Sequence, residues 1–154
     1  ASAYGMCTMP AAPKILIADD HAQGVELLEA YLAEQPYEVR VAANGVETLQ
    51  AIEEWAPDVI LLDVMMPRLS GFEVCQRLRA NPSTRTTGAI MVTALDQPAD
   101  VDRGVEAGTD DFLTKPIQQD DLLVRIRALL EHRRETNDIE RTLKYIHAVE
   151  SPAA

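Results

Sequence analysis

The sequence predicts an α/β domain built on an open, doubly wound sheet of five parallel strands in the order 2-1-3-4-5. Three observations predict it. Short apolar runs alternate five times with stretches of helical periodicity, joined by short connections, and right-handed crossovers between parallel strands place helices on both faces. Five such units are too few for an eight-stranded barrel. The run Val59-Ile60-Leu61-Leu62 is apolar throughout, as a strand buried on both faces must be.

The elements follow in order from Lys14. Ile15-Leu16-Ile17-Ala18 is a short strand that ends in Asp19-Asp20-His21. Val25, Leu27, Leu28, Tyr31 and Leu32 recur at helical spacing until Gln35-Pro36. Gly24, early in that helix, costs roughly 1 kcal/mol against Ala. Glu38 to Ala42 alternates with period two, as a half-exposed strand does. Asn44-Gly45 turns the chain into a helix with Val46, Leu49, Ile52 and Trp55 on one face. The Val59 strand delivers Asp63 and turns through Met66-Pro67-Arg68-Leu69-Ser70-Gly71, where Pro and Gly mark the turn. A helix with Phe72, Cys75 and Leu78 inward follows and ends near Asn81-Pro82. Ala89 to Thr93 is the fourth strand. Pro98 to Ala107 is a short helix whose only large hydrophobes are Val101 and Val105, stopped by Gly108. Asp111-Phe112-Leu113-Thr114 is the fifth strand, leading to Lys115-Pro116 and a long helix from near Asp120.

Composition bounds what such a domain does. The chain has 154 residues, enough for one domain with a real core. No apolar run approaches the roughly 20 residues of a membrane span. Acids outnumber Lys and Arg by 25 to 14, for a net charge of −11, which disfavours direct contact with nucleic acid or anionic lipid. Cys7 and Cys75 form no CxxC, so the plain reading is a reduced cytoplasmic protein. Ala1 to Pro13 lacks periodicity and the features of a secretory signal, and reads as a disordered lead-in. The domain itself runs from Lys14 to Glu131.

In a flavodoxin-like parallel sheet of this order, all strands present their carboxyl ends on one edge, where ligands bind. Asp19, Asp20, Asp63, Thr93 and Lys115 therefore converge. Three close carboxylates repel by a few kcal/mol per pair at an effective dielectric near 20, and a hard divalent cation removes that repulsion. Mg²⁺ suits few carboxylates, retained waters and a phosphate oxygen. Lys115 can neutralise another phosphate oxygen and the Thr93 hydroxyl can donate to a third. The set reads as a holder for a tetrahedral anion, with Asp63 placed as its nucleophile. Each residue also has a plainer reading. Asp19-Asp20 is a favoured helix cap, Thr93 an ordinary strand residue, Phe112 core, Lys115 a solvated charge and Cys75 packing. His21 is read as partly exposed beside the site.

The acidic pair Asp19-Asp20, the run Leu62-Asp63-Val64-Met65-Met66-Pro67 with Gly71, Thr93-Ala94 and Lys115-Pro116 occur in order at these spacings. In that combination the chain from Lys14 to Glu131 resembles the receiver domain of bacterial two-component response regulators. The resemblance implies that Asp63 accepts a phosphoryl group from a sensor histidine kinase or a phosphotransfer protein. It implies Mg²⁺ (or Mn²⁺) held by Asp20, Asp63, the Met65 carbonyl and, largely through water, Asp19. It makes Thr93 the switch hydroxyl, Phe112 the aromatic that swings inward and Lys115-Pro116 a cis peptide bond. The segment from Asp58 to Pro116 most resembles receivers placed ahead of cyclic-di-GMP cyclase or phosphodiesterase domains. Gly24 stands where many relatives carry a larger polar residue, and Gly88 where a Pro often precedes the fourth strand. Neither is expected to touch the chemistry.

Beyond Glu131, the segment from His132 to Val149 has no strong breaker and is expected to continue as helix, with a linker-like end at Ala154. Leu129, His132, Thr136, Ile139, Leu143 and Ile146 form a heptad-like seam with two polar interruptions. This extension reads either as a solvated terminal helix or as a dimerising or signalling one, and a homodimer would form through it or through the face of the fourth helix, fifth strand and fifth helix. Two other aspartate-based or fold-based classes fit less well. A haloacid-dehalogenase-type phosphatase needs a second acid where Met65 stands, and a flavodoxin-like cofactor binder needs a hydroxyl- and Gly-rich loop where Asp19-Asp20-His21 stands. A receiver-like scaffold that works without phosphorylation is the remaining alternative.

Overall fold

In the computed structural model, which describes residues 11–94, 98–132 and 138–150, strands β1 (Lys14–Ala18), β2 (Glu38–Ala42), β3 (Val59–Leu62), β4 (Gly88–Thr93) and β5 (Asp111–Thr114) alternate with helices. These are α1 (Ala22–Leu32), α2 (Gly45–Trp55), α3 (Gly71–Ala80), α4 (Pro98–Ala107), α5 (Gln119–His132) and α6 (Asp138–Glu150). The strands form one parallel sheet in the order β2-β1-β3-β4-β5, as expected. Of the lead-in, only residues 11–13 are described, and the Pro13 carbonyl accepts from the Glu38 amide.

Local chemistry explains the boundaries. Asn44 caps α2 by accepting from the Glu47 amide, and Ser70 with Glu73 forms a capping box at the start of α3. Gly108 ends α4 at φ 94, a left-handed conformation that a glycine adopts freely. In the 66–71 turn the left-handed residue is Arg68, at φ 74. Gly71 serves close approach instead, because a Cβ there would lie 2.4 Å from the Asp63 carbonyl oxygen.

The sheet divides two apolar layers. Leu16, Ile60, Leu62, Met91, Phe72, Cys75 and Leu78 pack with α2 and α3 on one face. Ile15, Ile17, Leu61, Ile90, Leu28, Leu32, Leu122, Ile126 and Leu129 pack with α1 and α5 on the other. Strands β1, β3 and β4 are almost wholly buried, whereas β2 is an edge strand with exposed residues. Helix α4 departs from the usual apolar stripe: Val101 and Val105 point to solvent, and among its described side chains and glycine the buried positions are Gly104 and Ala107. A Cβ on Gly104 would come within 3.3 Å of the Phe112 ring and Met91 Sδ, so small residues let α4 lie close to β5.

The expected continuation of α5 through His132 to Val149 is corrected in one respect. A C-terminal helix is present, but α6 is a separate element that folds back on the domain. In one unbroken helix Tyr145 would stand about 30 Å from Arg125. Here both bond to the same Asp111 carboxylate. Of the seam, Leu129 is buried in α5 and Leu143 and Ile146 of α6 are exposed, while Tyr145 is buried and Ala148 and Val149 pack against the apolar layer that contains it. Thr136, another seam position, lies outside the described residues.

Candidate functional site

The carboxyl edge of the sheet brings the predicted residues together. The strand register sets Ala18 beside Leu62, so Asp19 and Asp63 leave adjacent strands at one level, and Lys115 follows Thr114, the partner of Thr93, from the far side of β4 on the same edge. Asp63 is tied to that edge by its amide, which donates to the Ala18 carbonyl at 2.9 Å. The Lys115 amide likewise donates to the Thr93 carbonyl at 2.8 Å. Asp19 and Asp63 are 2% and 4% exposed and Thr93 is fully buried. The Lys115–Pro116 peptide bond is cis.

Side-chain geometry makes Lys115 the hinge of the charge arrangement. Its Nζ lies 3.4 Å from Asp19 Oδ2 and 3.6 Å from Asp63 Oδ2, so one ammonium faces two buried acids. Asp63 Oδ1 accepts from the Met65 amide at 3.0 Å. Burial raises the Asp63 pKa above the usual carboxylate value and the Asp19 charge adds to it, against the opposing Met65 amide and Lys115. A second carboxylate beside a single lysine is thus left short of positive charge.

His21 completes the rim. It is largely exposed, with Nδ1 2.9 Å from Asp20 Oδ1 and 3.3 Å from Asp19 Oδ1. His21 is itself the N-cap residue of α1, with extended backbone, and its amide donates to Asp19 Oδ1. Neither acid of the pair occupies the cap position, which leaves both carboxylates at the crevice. Asp19, Asp20, His21 and Asp63 each offer a ligand atom, all within 4.8 Å of one another. Three hard carboxylate donors so spaced suit a hard divalent cation.

Other predicted residues stand apart from this cluster. Phe112 is half-buried against the α2–α3 layer, with its ring beside Gly104 and Met91 rather than at the acids. The Met65 side chain is exposed. Cys75 is buried among apolar side chains, and burial pushes its thiol pKa up to about 11. The expectation that Gly24 lies away from the chemistry does not hold. A Cβ at Gly24 would meet Asp19 Oδ2 at 2.6 Å and Lys115 Nζ at 3.7 Å, so this helix position abuts the site. Spacing along the chain gives no sign of that contact, which crosses from a strand end to the next helix.

A buried aspartate at the end of the third strand, an acid pair at the end of the first and a lysine at the end of the fifth define a receiver-type switch domain. The family model of the response regulator receiver domain matches residues 15–127, and the chain belongs to that family. Response regulator PleD of Caulobacter vibrioides is 46% identical over 116 residues, covering 75% of this chain and 26% of PleD. The DNA-binding dual master transcriptional regulator RpaA of Synechocystis is 39% identical over 133 residues, covering 86% of this chain and 54% of RpaA. The chain therefore spans about a quarter to a half of these relatives. Among solved structures, the signal receiver domain of a signal transduction histidine kinase from Syntrophus aciditrophicus superposes with a TM-score of 0.75 at 35% identity, covering 82% of this chain and 96% of that one. The BeF3-activated DrrB receiver domain superposes with a TM-score of 0.71 at 33% identity, covering 78% and 98%. Among the described residues no helix is long and apolar enough to cross a membrane.

Proposed function

We propose that this receiver domain is a phosphorylation switch in which Asp63 accepts a phosphoryl group from a sensor histidine kinase or a phosphotransfer protein. The observation that carries the reading is the pairing of buried Asp63 and Asp19 across one ammonium, Lys115, at 3.6 and 3.4 Å. A carboxylate so held is oriented, dry and available as a nucleophile. An Asp63 oxygen attacks phosphorus in line, forming the O–P bond as the donor's P–N bond breaks, and the leaving imidazole takes up a proton. Lys115 moves from sharing two carboxylates to neutralising the transferred phosphoryl oxygens. The Thr93 hydroxyl donates to one of them.

Asp19, Asp20, Asp63 and the Met65 carbonyl hold Mg²⁺ (or Mn²⁺) in this reading. When bound, the ion supplies positive charge at the phosphoryl oxygens. The domain turns over no separate substrate: it promotes its own phosphorylation and the later hydrolysis of the acyl phosphate. Phe112 then changes position with Thr93, and the surface of α4, β5 and α5 carries the signal to a partner or a second copy. The reading includes a cytoplasmic setting, no direct contact with nucleic acid or membrane, and service to an output in a cyclic-di-GMP-linked regulator. Its support is the likeness of residues 58–116 noted above and the acidic composition.

The test is intact mass after incubation with acetyl phosphate and Mg²⁺, beside Asp63→Asn. The expected result is one added phosphoryl mass in the native chain, absent without Mg²⁺ and absent in the variant. Failure to form the adduct together with failure to bind beryllofluoride refutes the phosphoacceptor role and favours a phosphorylation-independent scaffold.

A further inference from the structure

The fold-back of α6 is anchored at one polar point. Tyr145, 7% exposed, donates its hydroxyl to Asp111 Oδ2. Arg125 of α5 donates to that same oxygen through its Nη1 and to Asp121 Oδ1 at 2.8 Å through Nε. The other Asp111 oxygen accepts from the Phe112 amide at 2.7 Å. One carboxylate at the start of β5 thus joins α5, α6 and the backbone of Phe112. Ala148 and Val149 of α6 and Leu123 and Leu130 of α5 all pack against the apolar layer on that face, to which Tyr145 belongs.

We propose that α6 is a displaceable, built-in occupant of the β5–α5 surface, and that its seating is coupled to the state of the Asp63 site through Asp111 and Phe112. The proposal rests on the phosphoacceptor reading of Asp63. Its direction follows from the geometry of the anchor. The Phe112 amide holds Asp111 Oδ1, so the carboxylate orientation that serves Tyr145 and Arg125 belongs to the present placement of Phe112. That ring lies by Gly104, where a Cβ would come within 3.3 Å of it and of Met91 Sδ. Rotation of the ring alone leaves this main-chain amide in place, whereas a shift of the β5 backbone at Phe112 moves it, turns the carboxylate and weakens both bonds on Oδ2. Loading the Asp63 site therefore loosens α6 and bares the surface it covers. Thermodynamic reciprocity requires the converse: loosening α6 strengthens ligand binding at Asp63 by the same factor.

Hydrogen exchange of residues 138–150 in the full chain tests this, with Mg²⁺ and beryllofluoride as the probe. Tyr145→Phe keeps the ring and removes only the hydroxyl, and is expected to speed α6 exchange at least about tenfold, the cost of losing a bond to a charged acceptor. Beryllofluoride is expected to speed α6 exchange several-fold in the native chain and not in Asp63→Asn. Titration calorimetry should show Tyr145→Phe binding beryllofluoride more tightly by the factor seen in exchange. Leu143→Ser, on the exposed side of α6, should change neither readout. Binding of beryllofluoride with α6 exchange unchanged, or with equal affinity in Tyr145→Phe, overturns the coupling while leaving the Asp63 reading intact. Absence of binding in the native chain refutes both.

Discussion

Replacing Asp63 by Asn should make the metal-free protein more stable. In Asp63→Asn the lost terms can be weighed separately. Asp63 and Asp19 present oxygens within 4.8 Å of each other, and two full charges at that distance repel by about 3.5 kcal/mol at an effective dielectric of 20. The opposing attraction to Lys115 at 3.6 Å is formally about 4.6 kcal/mol on the same scale. That ammonium is 31% exposed and shared with Asp19, so water and the second acid reduce its effect on Asp63 to the order of 1–2 kcal/mol. Desolvation of a carboxylate 4% exposed adds to the repulsive side. The balance favours the amide by about 1–3 kcal/mol, or roughly 3–8 °C in Tm for a chain of this size. The assay is urea and thermal unfolding in EDTA at neutral pH. Trp55 fluorescence suits it, because that side chain lies at the opposite sheet edge beside Lys14 and Arg40. The Asp63 pKa is raised in the folded state, so its penalty is absent at acid pH, where the group is protonated in both states. It grows as pH rises through the unfolded value and is complete above the folded one. The two proteins should therefore converge on acidification. Mg²⁺ at 100 times its Kd should stabilise the native chain by about 2.7 kcal/mol and the variant by less. A metal-free Asp63→Asn that is equal to or weaker than the native chain at neutral pH refutes the charge arrangement.

Two further perturbations follow from residues outside the site. Arg79 donates to the carbonyls of Gly108, Arg85 and Thr87 and to Asp110, tying α3 to the approaches of β4 and β5. Arg79→Ala should cost about 3 kcal/mol in urea unfolding, and Arg79→Lys should recover little, because an ammonium lacks the fork. Burial holds the Cys75 thiol at about 11, so native Cys75 should resist thiol reagents at pH 8 until the chain unfolds, as peptide mass mapping would show. Because that folded value is raised, the unfolded thiol ionises first. Stability should fall between about pH 9 and 11 by up to 2–3 kcal/mol relative to Cys75→Ala.

What the sequence discloses about this molecule follows from which contacts topology dictates. Once the alternation of apolar runs and helices sets a parallel sheet, Asp19, Asp63, Thr93 and Lys115 must share an edge, whatever their individual propensities. Their meeting is readable from position alone, although each residue by itself is ordinary. Contacts that depend on how a helix rolls or on a polar partner far away in sequence are not readable this way. Gly24 stands where any side chain would run into Asp19 and Lys115, a matter of how deeply α1 packs. Val101 and Val105 invite an inward assignment, yet proximity to Phe112 selects Gly104 and Ala107 for that face. Helix α6 carries two competing apolar faces, Leu143 with Ile146 and Tyr145 with Ala148 and Val149. Periodicity weighs them equally. The choice is made by Asp111, 34 residues away, which offers Tyr145 a partner for its hydroxyl as the ring is buried. The same carboxylate sits next to Phe112, the residue through which the proposed phosphoacceptor site would signal. In the proposed switch, a helix chosen by that contact is attached where a signal from Asp63 would arrive, so the position of its anchor, more than its apolar content, is what the exchange experiment on α6 probes.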